Sequence, residues 1–190
     1  MVGRNFFDGV VVYSLDRGST WDRVVFEGDT LADVAAIAGT EGTYFIAAAN
    51  SGGIYYSTDY GATWIYADTI IPAFLYGVGV GSNEKAYAVG QVGTVYVANS
   101  STSFAVWEDV SVPGTTRQLN DVSSFDGVTV YVVGNTGTIY KSVDGGASWT
   151  QCTSGTTNNI YSISQASNNV AMVTGAENYA ARTLDGGATW

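Results

Sequence analysis

Short apolar stretches broken by glycine-containing turns run through most of the chain. Residues 33–38 read DVAAIA, 43–50 TYFIAAAN, 52–59 GGIYYSTD and 63–68 TWIYAD. The same order returns downstream as LNDVSSF, VTVYVVGN, GTIYKSVD and SWTQCT. Four short runs with turn signals every 8–12 residues are the spacing of an all-β chain. No stretch carries the 3.6-residue period of an amphipathic helix, so little or no helix is predicted.

The five tryptophans, Trp21, Trp64, Trp107, Trp149 and Trp190, recur at intervals of 41 to 43 residues. A period near 42 is that of propeller blades. Four of them close a shared pattern, [ST]-x-D-x-G-x-[ST]-W: SLDRGSTW at 14–21, STDYGATW at 57–64, SVDGGASW at 142–149 and TLDGGATW at 183–190. The third unit, ANSSTSFAVW at 98–107, keeps the Trp without the Asp and Gly. The expected fold is an all-β propeller of four-stranded blades. The units fall at 8–27 (two strands), 31–68, 74–111, 118–153 and 159–190 (three strands before Trp190). This phase describes an incomplete ring and reads as a window on a longer array. Small residues crowd the first strand of each unit, such as Ala35, Ala36, Gly77, Gly79, Ser123 and Ser124. Innermost strands that converge on a narrow channel admit such side chains.

The pattern has a physical role as a turn between third and fourth strands. An Asp side chain accepts hydrogen bonds from backbone N–H groups just ahead of it. A Gly two residues on takes positive φ without strain, and a hydroxyl bonds locally. The Trp is expected to pack between neighbouring sheets. The pattern resembles the Asp-box, or bacterial neuraminidase repeat. It is found in sialidases, xyloglucan-type glycoside hydrolases, sortilin-like receptors and the photosystem II stability/assembly factor family. GNTGTIYKSVDGGASW at 134–149 is most similar to the last group. In these families the box is a structural turn on the face away from the active site. The resemblance therefore implies structural roles for Ser14, Asp16, Gly18 and Trp21; for Ser57, Asp59, Gly61 and Trp64; and for Trp107. It implies the same for Ser142, Asp144, Gly146 and Trp149, and for Thr183, Asp185, Gly187 and Trp190.

Composition narrows the function. Seventeen acids against seven bases give a net charge of -10, which disfavours nucleic acid and anionic membrane surfaces. No apolar run is long enough to span a bilayer. One cysteine, Cys152, excludes an internal disulfide, and the absence of histidine removes the commonest general base and metal ligand. No metal or cofactor is expected. Gly-rich GQVGTVY and GNTGTIY lie between strands, where hairpin turns explain them better than a nucleotide site.

A sialidase needs three arginines on a substrate carboxylate, and none of Arg4, Arg17, Arg23, Arg117 and Arg182 sits in that family's motif. A glycosidase needs two facing carboxylates. Glu27, Asp29 and Asp68, with Asp33, Asp121 and Glu177 nearby, are the acids on the face opposite the boxes, where solvated loop acids are the default. Thirteen tyrosines suit an adaptable binding surface, though most fall at blade-packing positions. The expected function is a non-catalytic binding or structural module with protein or surface-glycan partners, in an extracellular or virion setting such as a surface filament or adhesin. Self-association, or a further chain, would complete the ring. The alternatives are a fragment of an Asp-box glycoside hydrolase or sialidase, and a protein of the photosystem II assembly-factor kind. The first expects turnover of sialosides or glucans. The second expects a basic patch, which two lysines do not make.

Overall fold

The computed structural model describes residues 8–39 and 42–190. Arg4 lies outside them. The described residues form five antiparallel sheets that follow one another as blades of a propeller arc. The first pairs β1 (Gly9–Tyr13) with β2 (Asp22–Phe26). The second holds β3 (Leu31–Gly39), β4 (Gly42–Ala49), β5 (Ile54–Ser57) and β6 (Ile65–Tyr66). The third holds β7 (Leu75–Val80), β8 (Lys85–Gly90), β9 (Val95–Asn99) and β10 (Glu108–Asp109). The fourth holds β11 (Leu119–Ser124), β12 (Val130–Gly134), β13 (Thr138–Ser142) and β14 (Thr150–Gln151). The fifth holds β15 (Ile160–Gln165), β16 (Ala171–Gly175) and β17 (Ala180–Thr183). Each strand pairs with its neighbour in sequence. Among the described residues, helix is limited to two 3-10 turns, Gln91–Gly93 and Ser100–Thr102.

The first strands β3, β7, β11 and β15 pack side by side. Each opens with a bulge at the same place, between Leu31 and Asp33, Leu75 and Gly77, Leu119 and Asp121, and Ile160 and Ser162. A bulge re-aims one side chain out of the pleat. The small residues here answer to backbone approach: a Cβ on Gly79 would lie 2.4 Å from the Val122 carbonyl oxygen.

The second strands β8 and β12 are each shared between two cores. Ala86 and Ala88 face the core that includes Ile46, Ile54, Leu75 and Trp107. Tyr87 and Val89 face the next, with Leu119, Val130 and Val132. Tyr131 and Val133 face the third, with Ile139, Ile160 and Val173. Alternate residues thus point into opposite inter-blade spaces, which is why VYVVG is apolar without alternation.

The chain between blades runs over one end of the arc, held by the turn joining second and third strands. The N–H groups of Asn50, Gln91, Asn135 and Ala176 donate to the carbonyls of Thr30, Phe74, Gln118 and Asn159, at 2.8, 3.0, 3.0 and 2.8 Å. The three glycines ending β8, β12 and β16 permit this approach. A Cβ on Gly90, Gly134 or Gly175 would stand 2.1, 2.0 or 2.3 Å from those carbonyl oxygens. These links and turns form one face, the link face. The turns between third and fourth strands form the opposite, box face.

Candidate functional site

The four boxes share one hydrogen-bond scheme. The first hydroxyl, of Ser14, Ser57, Ser142 or Thr183, donates to the box Asp at 2.7–2.9 Å. It also accepts the N–H of Gly18, Gly61, Gly146 or Gly187. The same Asp oxygen accepts the N–H of the residue four places on. The other oxygen accepts that residue's hydroxyl at 2.5–2.6 Å. The box glycines hold φ of 87–97°, as a left-handed turn requires. The Thr or Ser hydroxyl is the largest cause that pulls Asp16, Asp144 and Asp185 down to about 2 and lowers Asp59. Both oxygens of each carboxylate are therefore engaged within the turn.

The third unit makes the turn by other means. Ser103 and Phe104 take positive φ, 50° and 59°. The Asn99 side chain accepts the Ser101 N–H, and the buried Phe104 ring meets Tyr44 edge-on at 5.2 Å.

The tryptophans correct one expectation. Trp64 meets Phe26 of the first sheet at 5.4 Å, Trp107 joins the core shared with the second, and Trp149 donates to the Val110 carbonyl of the third at 2.8 Å. Trp190 meets Tyr131 of the fourth at 6.1 Å. Each packs backward onto the preceding sheet. Trp21 has no preceding sheet among the described residues and is 63% exposed. Among the described residues it is not packed between sheets, and its indole N–H bonds its own Gly18 carbonyl.

The link face holds the acids weighed as glycosidase candidates, and three of the six carboxylates, those of Asp29, Asp33 and Asp121, have backbone or hydroxyl partners. At the first bulge, Asp33 accepts the N–H of Val34 at 2.8 Å and of Val78, on the next first strand, at 3.0 Å. At the third, Asp121 does the same with Val122 and Ile163, both 2.8 Å. Burial raises both carboxyls above their ordinary range. Gly77 and Ser162 hold the same place in the other two blades. The repeated LADV at 31–34 and LNDV at 119–122 was the available signal for this blade-to-blade clasp, which sequence reasoning took for loop acids. Asp29 accepts from the Ser51 and Tyr55 hydroxyls. The Asp68 N–H is bonded to the Ala105 carbonyl, which draws it toward the rim beside the next blade's turn. Glu27 and Glu177 are exposed. Arg17 lies in a box, Arg23 on β2, Arg117 on a link and Arg182 on β17; these are different elements, and no three share one. Among the described residues no cluster of three or more metal-ligating side chains occurs.

Sequence reasoning missed a row of side chains at the crest of the link face. Val92, Thr136 and Glu177 occupy corresponding places in the turns between second and third strands, all at positive φ, 54°, 60° and 53°. Between two such turns runs the link 67–74. A cavity of about 220 Å³ opens there, lined by Ser51, Pro72, Ala73, Phe74 and Gln91. A larger apolar cleft of about 730 Å³ lies along β1, between Val10, Val12, Trp21, Phe45 and Trp64. It follows the edge of β1 that a second strand covers in the other four sheets.

Residues 73–183 match the sequence profile of a family described as Photosynthesis system II assembly factor YCF48. No curated protein matches the chain. Among solved structures, YCF48 from Cyanidioschyzon merolae superposes with TM-score 0.66 at 18% identity, covering 83% of this chain and 51% of that one. A structure of YCF48 bound to D1 peptide gives 0.69 at 16% identity, covering 95% and 59%. The GH74 xyloglucanase from Xanthomonas campestris gives 0.74 at 14% identity, covering 95% and 33%. The chain thus spans about a third to three-fifths of these structures. At such identities the likeness is one of fold, and it places the five sheets in a β-propeller.

Proposed function

The chain belongs to the photosynthesis system II assembly factor YCF48 family, and we propose that within it the chain is a non-catalytic module that binds a polypeptide partner. The observation that carries this is the family match over 73–183, joined to a structural relative solved with a peptide. The side chains support it. The boxes spend their carboxylates on their own turns and are read as fasteners. Asp29, Asp33 and Asp121 each have both carboxylate oxygens hydrogen-bonded, so none is poised as a free acid or base. The expectation of a virion or filament setting rests on composition alone and is not part of this proposal.

The xyloglucanase likeness makes hydrolysis the reading to test against. The protein is expected to bind peptides saturably and to leave fluorogenic sialosides and xyloglucan oligosaccharides uncleaved. Turnover that Asp29→Asn abolishes, with no peptide bound, would reverse the proposal. Among the described residues β1 pairs only with β2, and its other edge, beside an apolar cleft, also favours self-association, since an exposed strand edge invites another strand. A native mass above 19.9 kDa that falls on denaturation is the expected sign.

A further inference from the structure

The cleft along β1 has its template elsewhere in the molecule. The third strands β5, β9, β13 and β17 each have a second strand on their inner edge, whereas among the described residues β1 pairs only with β2. One cavity of about 730 Å³ joins Val11 and Tyr13 of β1 to Val34, Phe45 and Trp64 of the next sheet. Side-chain exposure follows from this. Val34 is 39% exposed, while Val78, Val122 and Ile163, at the same place in the other first strands, are 4%, 3% and 6% exposed. Phe45 is half-buried, while its counterparts Ala86, Val130 and Ala171 are buried.

The next three blades show what fills this place. Opposite Tyr56, Val97 and Lys141, which correspond to Tyr13, stand Ile46, Tyr87 and Tyr131. Opposite Ile54, Val95 and Ile139, which correspond to Val11, stand Ala48, Val89 and Val133. All six second-strand side chains are fully buried. Between the two positions lies Ala47, Ala88 or Val132. We propose that the cleft accepts an extended segment of a partner polypeptide, added antiparallel to β1. The segment carries a large apolar side chain opposite Tyr13, an aliphatic one opposite Val11 and a small apolar residue between them. In such strand addition, backbone hydrogen bonds give affinity and pockets for alternate side chains give specificity. A second copy fits less well. Two β1 strands paired antiparallel about Val11 set Gly9 opposite Tyr13, the place that takes Ile46, Tyr87 or Tyr131 in the other blades. The inference goes beyond the polypeptide-binding function proposed above, because it names a site apart from the link face and the pattern that site reads.

The test is fluorescence polarisation of labelled peptides against the whole chain. The first peptide is NEKAYAVGQ, the sequence of residues 83–91. The second has Ser in place of its Tyr and Val. The third is N-methylated at its Tyr and the following Ala, adjacent residues whose N–H groups point to opposite edges of a strand, so one donor toward β1 is removed in either register. The first peptide is expected to bind at least about tenfold more tightly than the other two. Val34→Glu, at an exposed position, is expected to weaken the first peptide about tenfold, with Tm within about 2 °C of the parent. If the three peptides bind alike, this inference fails and the polypeptide-binding function stands. If the first peptide does not bind and the native mass stays that of a self-associated form, a second copy holds the edge and the inference fails likewise. If no peptide of any pattern binds, both fail.

Discussion

Two kinds of carboxylate coexist, and they titrate in opposite directions for stated reasons. Box Asp144 is held at about 2 by the Ser148 hydroxyl, the Ser142 hydroxyl and the Ser148 N–H. Its folded value lies below its unfolded one, so its contribution to stability is present above pH 3.8 and drains away as pH falls toward 2. Bulge Asp121 is raised by burial. Its contribution is full below its unfolded value and is lost as pH rises through the folded one. Carboxyl titration by NMR is expected to find Asp144 below and Asp121 above the ordinary range; coincident midpoints would refute both causes. A second pair tests burial without partners. The Tyr87 hydroxyl donates to the Gly127 and Gly145 carbonyls. The Tyr131 hydroxyl, at the same place one blade on, is buried with no hydrogen-bond partner among the described residues, and burial pushes its pKa to about 12. Tyr87→Phe should cost about 1 kcal/mol, whereas Tyr131→Phe should be neutral or stabilising. Equal losses in Tm would show that Tyr131 has a partner after all.

At the scale of the element, the box is read as a fastener, and its strength should depend on what its Trp reaches. Trp107 is 3% exposed in the core between the second and third sheets, and Trp21 is 63% exposed. Trp107→Ala is expected to cost about 3–5 kcal/mol, and Trp21→Ala less than about 1 kcal/mol, measured by urea unfolding. A similar loss at both would mean that Trp21 is covered in solution, by another strand or another copy. The third unit shows that the turn matters more than its residues. Ser103 and Phe104 reach the same left-handed geometry without the Asp–Gly pair, and the Trp107 indole N–H still bonds the Phe104 carbonyl at 2.9 Å.

Across the whole molecule, the two faces have different chemistry. The box face is tied down: its Asp carboxylates are consumed by their turns, and the Lys141 ammonium donates to the Gly186 carbonyl at 2.7 Å. The link face carries strained turns, exposed apolar side chains and a surplus of acids. The peptide binding proposed for the chain is expected on the link face, where substitutions should alter it without unfolding the blades.

The spacing of the tryptophans and the recurrence of [ST]-x-D-x-G-x-[ST]-W by themselves determined the all-β propeller and its period, because a repeated local pattern must fold into a repeated local unit. The composition of the boxes also carried their hydrogen-bond scheme, since each partner lies within four residues. What those patterns left open depends on residues about 40 or more apart. Asp33 and Asp121 were legible only as acids, because their partners, Val78 and Ile163, come from the next blade. Tyr87 and Tyr131 looked equivalent, and only the packed carbonyls around each hydroxyl distinguish them. Trp21 closes the same pattern as Trp64, Trp149 and Trp190 and lost its burial because no sheet lies behind it among the described residues. The glycines of GQVGTVY marked a turn, but only the backbone shows that Val92 within it takes a left-handed φ. Local geometry follows from local sequence, whereas burial, clasping and strain are properties of what the neighbouring blade brings into contact.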